Sequence, residues 1–328
     1  MSTPLRWGIL GTGGIAEMFV TDLRATGIDI AAVGSRSQAS ADVFGARFDI
    51  AARHPSYEAL VADPDVDAIY VATPHPMHAE NALLAIAAGK HVLIEKPFTL
   101  NADEAAQVRE AARNAGVVVL EAMWTRFLPA MVRIREIIAA GTLGEVRTLI
   151  ADHDQLLPSD PQHRINNPEL GGGALLDLGV YPVSFAVDLF GAPTSVTAKG
   201  DKTATGVDRQ VALILEHDGG AISVLHTALD TQGANTATIV GTEARIEIDS
   251  VWYTQTSFTV YAGTSGEVLE RYEEDVVSRG MQYQAWELER VVRDGRGESD
   301  LLPVDESVAV MAVLDEARRQ VGVVYPGE

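Results

Sequence analysis

Residues 5–121 alternate short apolar segments with helical patterns, and this alternation restricts the possible folds more than any other feature of the chain. Strands are predicted at Leu5–Leu10, Asp29–Val33, 67–73, 91–95 and 116–122. Helices are predicted between them at Ile15–Thr26, Ala39–Phe48, Ala79–Ala88 and Ala102–Ala115. Strands separated by helices of about 10–15 residues predict a parallel sheet with right-handed crossovers, which is an α/β arrangement.

The pattern changes after about residue 123. A helix at Pro129–Ala140 is followed by apolar or alternating segments at 145–153, 194–200, 210–216, 220–228, 236–240, 244–248 and 257–262. Two late helices are predicted at about 281–293 and 305–320. We therefore expect two domains: residues 1–122 with the parallel sheet, and residues 123–328 with an open, mainly antiparallel sheet and a few helices.

Composition narrows the range of partners. The 328 residues carry a formal net charge of −21, which argues against nucleic acid and anionic membranes because both would be repelled. The chain contains no cysteine, so disulfides, thiolate catalysis and thiolate metal sites are excluded. No apolar run reaches the roughly 18 residues of a membrane span, and the N-terminal residues lack a signal-peptide pattern. We expect a cytoplasmic protein.

A glycine-rich turn joins the first predicted strand to the first helix. Its sequence, GILGTGGIAEMF, contains the pattern Gly11-x-Gly13-x-x-Ala16. Gly11 permits the tight turn, Gly13 lets the backbone approach a pyrophosphate, and Ala16 allows close packing of helix on strand. The helix N-terminus, with Gly14 and Ile15, presents unpaired N–H groups to the anion. In this context the pattern predicts a dinucleotide site, and an ordinary strand–helix turn is the alternative.

The end of the second predicted strand decides between NAD and NADP. An acidic residue there would bind the two ribose hydroxyls of NAD. The sequence instead reads VGSRSQAS, and Ser35 and Arg36 occupy that position, about 20 residues beyond the glycines. A hydroxyl and a guanidinium suit a 2′-phosphate. NADP is therefore the predicted cofactor, with NAD as the alternative should Arg36 be a solvated surface arginine.

Side chains with acid–base chemistry occur in two separate segments. The first, IEKPF, places Glu95 and Lys96 after the fourth strand, at the carboxyl edge where sheets of this type bind ligands. The second, GGGALLDLGVYPVSF, runs from glycines into an apolar helix that contains Asp177 and Tyr181. Their spacing of four places both on one helix face. A satisfied Tyr–Asp pair in the core is the alternative to a catalytic pair.

Several of these segments together resemble one protein family. They include EKP, TPHPMHAENALLAIAAGKHVLIEKP, EAMWTRFLPA and GGGALLDLGVYPV. The chain is similar to the glucose–fructose oxidoreductase, inositol dehydrogenase and rhizopine-catabolism (Gfo/Idh/MocA) family, and within it to the dimeric dihydrodiol dehydrogenase and NADP-dependent D-xylose dehydrogenase branches. The resemblance covers nearly the whole chain. It implies a Rossmann domain followed by an α/β domain with an open sheet. It also implies hydride transfer between NAD(P) and a carbinol or carbonyl carbon, usually of a sugar or cyclic polyol.

The resemblance implies roles for individual residues. Lys96 matches the lysine of the family's EKP motif, Asp177 its helix aspartate, and Tyr181 the acid/base four residues later. Hydride transfer to a carbonyl leaves an alkoxide that needs a proton, and the reverse reaction needs a base. Tyrosine, with a reference pKa of about 10, is a poor base near neutrality, but a nearby Lys96 ammonium would favour tyrosinate and lower that pKa. Asp177 would hold a substrate hydroxyl or orient Lys96.

Further residues are candidates for the cofactor site. Thr73 and Glu95 end predicted strands at the cofactor edge. The family resemblance implies that His78 touches the cofactor ribose. It also places Arg164 near the cofactor, although His163 stands where the family usually has a tryptophan.

Trp124 and Arg126 follow the last predicted strand of the first domain and are expected to line the pocket mouth and contact substrate. An aromatic residue in such a place is equally typical of a core. His153 and His226 end or interrupt strands and are interpreted as structural. The histidines form no H-x-x-x-H or H-E-x-x-H pattern, so no metal site is predicted.

The second domain is expected to self-associate. In QVALILE, Ile214 lies on the face opposite Leu213, and in AISVLHTA, Ile222 and Val224 lie opposite Leu225, so both faces of the sheet are apolar. The helices of this half can cover one face. A homodimer or homotetramer through the sheet would cover the other, with loops of the same chain as the alternative.

The combined prediction is an NADP-dependent oxidoreductase that acts on a small aldose or cyclic vicinal diol. Two alternatives stay open. One is a redox-neutral glycosidase that holds NAD tightly, a chemistry also found in the resembling family. The other is a non-catalytic dinucleotide sensor, which would have no need of Lys96 and Tyr181.

Overall fold

In the computed structural model, which describes residues 4–327, the chain separates into two units. The first contains the described residues up to Trp124 together with Val277–Val308. The second contains Thr125–Val276 and the described residues from Ala309 onward. The sequence placed a single boundary after residue 122. The return of residues 277–308 to the first unit therefore differs from that prediction.

The first unit is built on a parallel sheet. Its strands are β1 (Trp7–Leu10), β2 (Ile30–Gly34), β3 (Ala52–His54), β4 (Ala68–Val71), β5 (His91–Glu95) and β6 (Val119–Ala122). The helices of this region are α1 (Gly14–Ala25), α2 (Gln38–Arg47), α3 (Tyr57–Val61), α4 (His78–Ala87) and α5 (Ala102–Ala115). The strand order is β3-β2-β1-β4-β5-β6, the dinucleotide-fold order, with its ligand crevice at the carboxyl ends beside β1. The predicted Rossmann sheet is confirmed; β3 and α3 were not predicted.

The second unit is built on a mainly antiparallel sheet. Its strands are β7 (Val146–Asp154), β8 (Ser195–Lys202), β9 (Asp208–Glu216), β10 (Ile222–Ala228), β11 (Ala237–Gly241), β12 (Ala244–Ile248), β13 (Phe258–Ala262) and β14 (Val268–Tyr272). Two helices of this region are α6 (Pro129–Ala139) and α7 (Val180–Phe190). The order is β14-β13-β12-β11-β7-β10-β9-β8, and the β7–β10 pair is parallel. The predicted open sheet is confirmed, with β14 as an additional edge strand.

The chain closes with α8 (Gln282–Arg293) and α9 (Val304–Val321), near their predicted bounds. Polar contacts with α1 and β1 explain why residues 277–308 belong to the first unit. Buried Asp22 accepts hydrogen bonds from the backbone N–H groups of Arg279 and Met281, at 3.1 and 3.0 Å. The indole N–H of Trp7 donates to Glu289 at 3.0 Å. These partners lie far apart in sequence, so local patterns do not reveal them.

The two faces of the second sheet are covered differently. Helix α7 packs on β7 and β10, and residues on that face, such as Leu213, are buried. On the opposite face Ile150, Ile214, Ile222 and Val224 are 51%, 46%, 41% and 44% exposed. The strand register places Val224 between Ile150 and Ile214. These four residues form a contiguous surface, the apolar patch, and confirm the predicted two-sided apolar pattern.

One segment, Pro168–Phe190, is long and apolar enough to cross a membrane by length and composition alone. This differs from the expectation that no apolar run reaches such a length. Most of its apolar stretch is buried inside the second unit, and α7 forms its C-terminal half. It is therefore a core segment that packs against the sheet.

Candidate active site

The glycine turn between β1 and α1 leaves space for an anion. Gly11 has a φ of +107°, and a Cβ added there would lie 2.9 Å from the Ala72 carbonyl oxygen. Gly13 is the N-cap residue of α1. A Cβ added at Gly13 or Gly14 would have no neighbour within 4 Å. Free N–H groups at a helix N-terminus, with open space before them, fit a pyrophosphate.

The end of β2 faces a cavity of about 530 Å³ in the first unit. Its lining includes Arg36, Tyr57 and Asn81. Ser35 is buried and its N–H donates to the His54 carbonyl at 3.2 Å, whereas Arg36 is exposed. Burial raises the pKa of the Tyr57 phenol, and the neighbouring Arg36 charge opposes that rise. The carboxylates of Glu58 and Glu80 also line this cavity, beside Arg36. Tyr57 was not predicted as a site residue, because it follows β3, a strand that the sequence pattern does not indicate.

The His78 ring lies between the segments that follow β4 and β5. The ring is fully buried, and its two nitrogens lie 2.8 Å from the carbonyl oxygens of Thr73 and Pro97. The Lys96–Pro97 peptide bond is cis. Burial lowers the pKa of His78 and favours the neutral ring, which has one N–H and donates to only one of the two carbonyls at a time. His78 therefore contacts the turn that carries Lys96, and its contact with the cofactor ribose stays a prediction.

Glu95 lies in the interior of the first unit. Its carboxyl accepts hydrogen bonds from the Tyr70 hydroxyl and, at 3.2 Å, from the Lys96 backbone N–H. Tyr70 in turn stacks on Phe19 of α1, with ring centroids 3.9 Å apart. Burial raises the pKa of Glu95 to about 7, and the nearby Glu121 charge adds to the rise. This interior position differs from the expected contact with the cofactor.

Asp177 lies on a π-helical turn. This turn, Leu175–Gly179, follows the glycine loop, and α7 begins directly after it with Tyr181 in its first turn. Both side chains are largely buried. A π turn holds about one residue more than an α turn, so residues four apart, such as Asp177 and Tyr181, still lie close to one face of the helix. Single π turns within helices occur frequently at functional sites.

Arg164 binds Asp177 through both ends of its guanidinium. Nη1 lies 3.1 Å from Oδ1, and Nη2 lies 3.3 Å from Oδ2. The Asp177 side chain is 7% exposed and that of Arg164 is 56% exposed. This pairing within the second unit was not predicted, because the family resemblance placed Arg164 near the cofactor.

An aromatic group surrounds Tyr181. Its ring lies 4.9 Å from His153 and 5.6 Å from Tyr253, and these two stack at 3.6 Å. The Gln155 amide nitrogen lies 2.9 Å from His153 Nε2 and 3.2 Å from the Tyr253 hydroxyl. With the amide donating to Nε2, the proton of a neutral ring lies on Nδ1, which is 3.1 Å from the Leu178 carbonyl. From the sequence, His153 was interpreted as structural, and Tyr253 and Gln155 were not predicted.

Arg126 braces α7 from inside the second unit. The residue is 2% exposed, its Nη2 lies 3.0 Å from Asp188 Oδ1, and its Nη1 donates to the Ser184 carbonyl at 3.1 Å. Its expected place at a pocket mouth stays a prediction. Trp124 is half-buried at the end of the first segment of the chain. Among residues 4–327, no group of three His, Asp or Glu side chains is arranged to hold a metal ion.

The two sheets correspond to two family models. Residues 5–123 match the oxidoreductase family with an NAD-binding Rossmann fold. Residues 131–247 match the Gfo/Idh/MocA C-terminal domain. The chain belongs to the Gfo/Idh/MocA family of oxidoreductases. The family resemblance drawn from its motifs is therefore confirmed.

Relatives in this family extend over nearly the full chain. Trans-1,2-dihydrobenzene-1,2-diol dehydrogenase of Mus musculus is 37% identical and aligns over 98% of both chains. D-xylose 1-dehydrogenase (NADP(+)) of Hypocrea jecorina is 37% identical over 98% of this chain and 93% of the relative. The crystal structure of aldose-aldose oxidoreductase from Caulobacter crescentus, complexed with glycerol, superposes with a TM-score of 0.87 at 25% identity, covering 98% of each chain.

Proposed function

We propose that this protein is an NADP-dependent oxidoreductase that transfers a hydride to or from a CH–OH carbon of a small aldose or cyclic vicinal diol. The observation that carries the proposal is the arrangement in the second unit. Asp177, hydrogen-bonded to Arg164, lies on a π turn four residues before Tyr181. The rings of His153 and Tyr253 pack beside the Tyr181 ring. The names of the relatives, which act on a diol, on xylose and on aldoses, support the substrate class.

The first unit supplies the cofactor site in this proposal. The free N-terminus of α1 at Gly13 and Gly14 would hold the pyrophosphate, and Arg36 with Tyr57 would hold the 2′-phosphate end. Bound NADP supplies or accepts the hydride at C4 of its nicotinamide. NADP rather than NAD is favoured because an arginine, and no carboxylate, follows β2.

Tyr181 is the proposed acid/base. In reduction its hydroxyl donates the proton to the alkoxide oxygen, and in oxidation the tyrosinate removes it. The Lys96 ammonium would favour the tyrosinate by its positive charge. Asp177 would accept a hydrogen bond from a substrate hydroxyl, because the two contacts with the guanidinium of Arg164 fix the direction of its carboxylate.

The second unit also supplies a proposed contact between subunits. The four exposed residues of the apolar patch lie side by side on one sheet face. Packing against a second copy would remove them from water, giving a homodimer or homotetramer. We propose a cytoplasmic enzyme with small-molecule substrates. Its net charge of −21 would repel nucleic acids and anionic membranes, so neither is a proposed partner.

A substrate screen tests the proposed activity. The purified protein is mixed with aldoses, inositols and dihydrodiols, each with NADP⁺ or NAD⁺, and nicotinamide absorbance is followed. Net NADPH formation with one substrate class is the expected result. NAD that co-purifies without any net reduction would instead indicate the redox-neutral glycosidase. Cofactor binding without turnover of any compound would indicate a dinucleotide sensor.

A further inference from the structure

The glycine loop before Asp177 is packed tightly against its neighbours. Gly172 and Gly173 donate their N–H groups to the carbonyls of Asn167 and Ile165, at 3.0 and 2.9 Å. Gly173 has a φ of +122°, and a Cβ added there would lie 2.2 Å from Oδ1 of Asp208. A Cβ on Gly172 would lie 2.6 Å from the Ile165 carbonyl oxygen. Neither position has room for a side chain, so both require glycine.

Asp208 caps the π turn from a neighbouring strand. It is fully buried at the start of β9, and its Oδ2 accepts a hydrogen bond from the Leu175 N–H at 2.5 Å. Leu175 is the first residue of the turn that carries Asp177. A side-chain acceptor at the start of a helix normally comes from the preceding residue. Here it comes from a residue 33 positions later.

Tyr325, after the last helix, holds the same loop from another side. Its buried hydroxyl donates to the Gly172 carbonyl at 2.6 Å. The guanidinium of Arg318, on α9, lies 4.8 Å from the centroid of the Tyr325 ring. Burial raises the pKa of Asp208 to about 6, and the positive charge of Arg318 opposes that rise. Asp208 of β9 thus binds the turn that follows the loop, and Tyr325, beside Arg318 of α9, binds the loop itself.

We infer that Asp208 and Tyr325 are positioning residues, which fix the glycine loop 171–173 and thereby the turn that carries Asp177 and Tyr181. The inference rests on the proposed function of those two side chains. Asp208 is not needed to anchor β9, and Tyr325 is not needed to anchor α9, the helix that precedes it. Strand β9 pairs with β8 and β10 along its length. Helix α9 is held to β8 by the Gln320 side chain, which accepts a hydrogen bond from the Ala198 N–H and donates one to the Val196 carbonyl. Loss of one loop contact should therefore act locally.

Tyr325→Phe is the primary test, because it removes one hydroxyl and keeps the ring beside Arg318. Loss of one buried hydrogen bond of this kind predicts a fall in kcat of about tenfold, with the KM for NADP unchanged. Tyr272→Phe is the matched control, since it removes a hydroxyl that bonds Glu274 at the surface. Asp208→Asn, which keeps an acceptor for the Leu175 N–H, should retain most activity, whereas Asp208→Ala should not.

Hydrogen exchange provides a readout that is independent of turnover. In Tyr325→Phe, amides of residues 171–179 should exchange faster while those of β8 to β10 keep their rates. This result supports the inference even if the substrate screen finds no oxidoreductase activity, so the two proposals fail separately. Unchanged exchange in the loop overturns the inference. So does a parallel loss of melting temperature and activity in Tyr325→Phe, because that indicates a general structural role.

Discussion

The carboxylate of Asp177 is held at both oxygens by the guanidinium of Arg164, with nitrogen–oxygen distances of 3.1 and 3.3 Å. The fork of an arginine matches a carboxylate in this way and fixes its plane. Because Asp177 is largely buried and Arg164 is half exposed, the arginine reaches inward to the aspartate. The orientation of a proposed substrate ligand thus depends on a residue 13 positions earlier in the chain.

Arg164→Met should lower kcat/KM for the substrate by about tenfold, because one buried carboxylate loses two charge-assisted hydrogen bonds. Arg164→Lys keeps the positive charge but lacks the two-pronged guanidinium, so its kcat/KM should lie between those of Arg164→Met and the wild type. Steady-state kinetics measure both. Arg147→Met, which breaks an exposed pair with Glu145, is the control and should match the wild type. Equal kcat/KM for Arg164→Met and the control would contradict the proposed role of Arg164 in orienting Asp177.

Arg36→Asp should reverse the cofactor preference. It replaces a phosphate partner with a carboxylate that repels phosphate and accepts ribose hydroxyls. Charge-assisted bonds of this kind contribute roughly 1.5–3 kcal/mol, so the ratio of NADP to NAD affinity should shift about tenfold or more. Titration calorimetry with both cofactors measures it. Equal affinities for NAD and NADP in the wild type would contradict the assignment.

Tyr181→Phe should lower kcat by roughly 10²–10⁴-fold with little change in NADP affinity, because it removes the proposed proton donor and keeps the ring packing. Tyr261→Phe, on β13, serves as the control and should have wild-type kinetics. Lys96→Met should also lower kcat and move the alkaline limb of the pH profile. In the double variant the two losses should not add, because both residues are proposed to act in one proton transfer. A Tyr181→Phe enzyme with most of its activity would assign the proton to another group.

Glu95 should make the protein less stable as pH rises. The carboxyl has a pKa of about 7 in the folded protein against 4.5 for an ordinary glutamate, because burial favours its neutral form. Its contribution is therefore complete below pH 4.5 and is lost as the pH rises to about 7, a total of roughly 3 kcal/mol. Glu95→Gln, neutral at every pH, should show a smaller fall in melting temperature between pH 5 and pH 8. Glu267→Gln, at an exposed position, should follow the wild type.

The apolar patch should be buried in an oligomer. Light scattering at micromolar concentration should give a mass of at least twice the 35.1 kDa of one chain. Ile214→Glu or Ile222→Glu should reduce it to the monomer, because a charge would then be buried in an apolar contact. Val268→Glu places the same charge at an exposed residue outside the patch, on edge strand β14, and should leave the mass unchanged. A monomeric wild type would refute the proposed assembly.

Local patterns were sufficient for the features that depend on neighbouring residues. The alternation of apolar runs and helices determined the parallel sheet, because strand and helix periodicity are properties of a few consecutive residues. The position of Gly11 before a helix start fixed the tight turn, and the structure gives that residue a positive φ. The two-sided apolar pattern around Ile214 and Val224 predicted which side chains face away from α7. Family motifs then selected Lys96, Asp177 and Tyr181 as the candidate catalytic residues.

Only the tertiary structure decided how those side chains are held. The pairing of Arg164 with Asp177, the packing of His153 and Tyr253 around Tyr181, and the interior place of Arg126 are not visible in any local pattern. Each depends on contacts between residues far apart in the sequence, and such contacts form only when strands and helices pack together. The π turn is a related case. The Leu175 N–H at its start donates to Asp208 of β9, and this contact is likewise not visible in any local pattern.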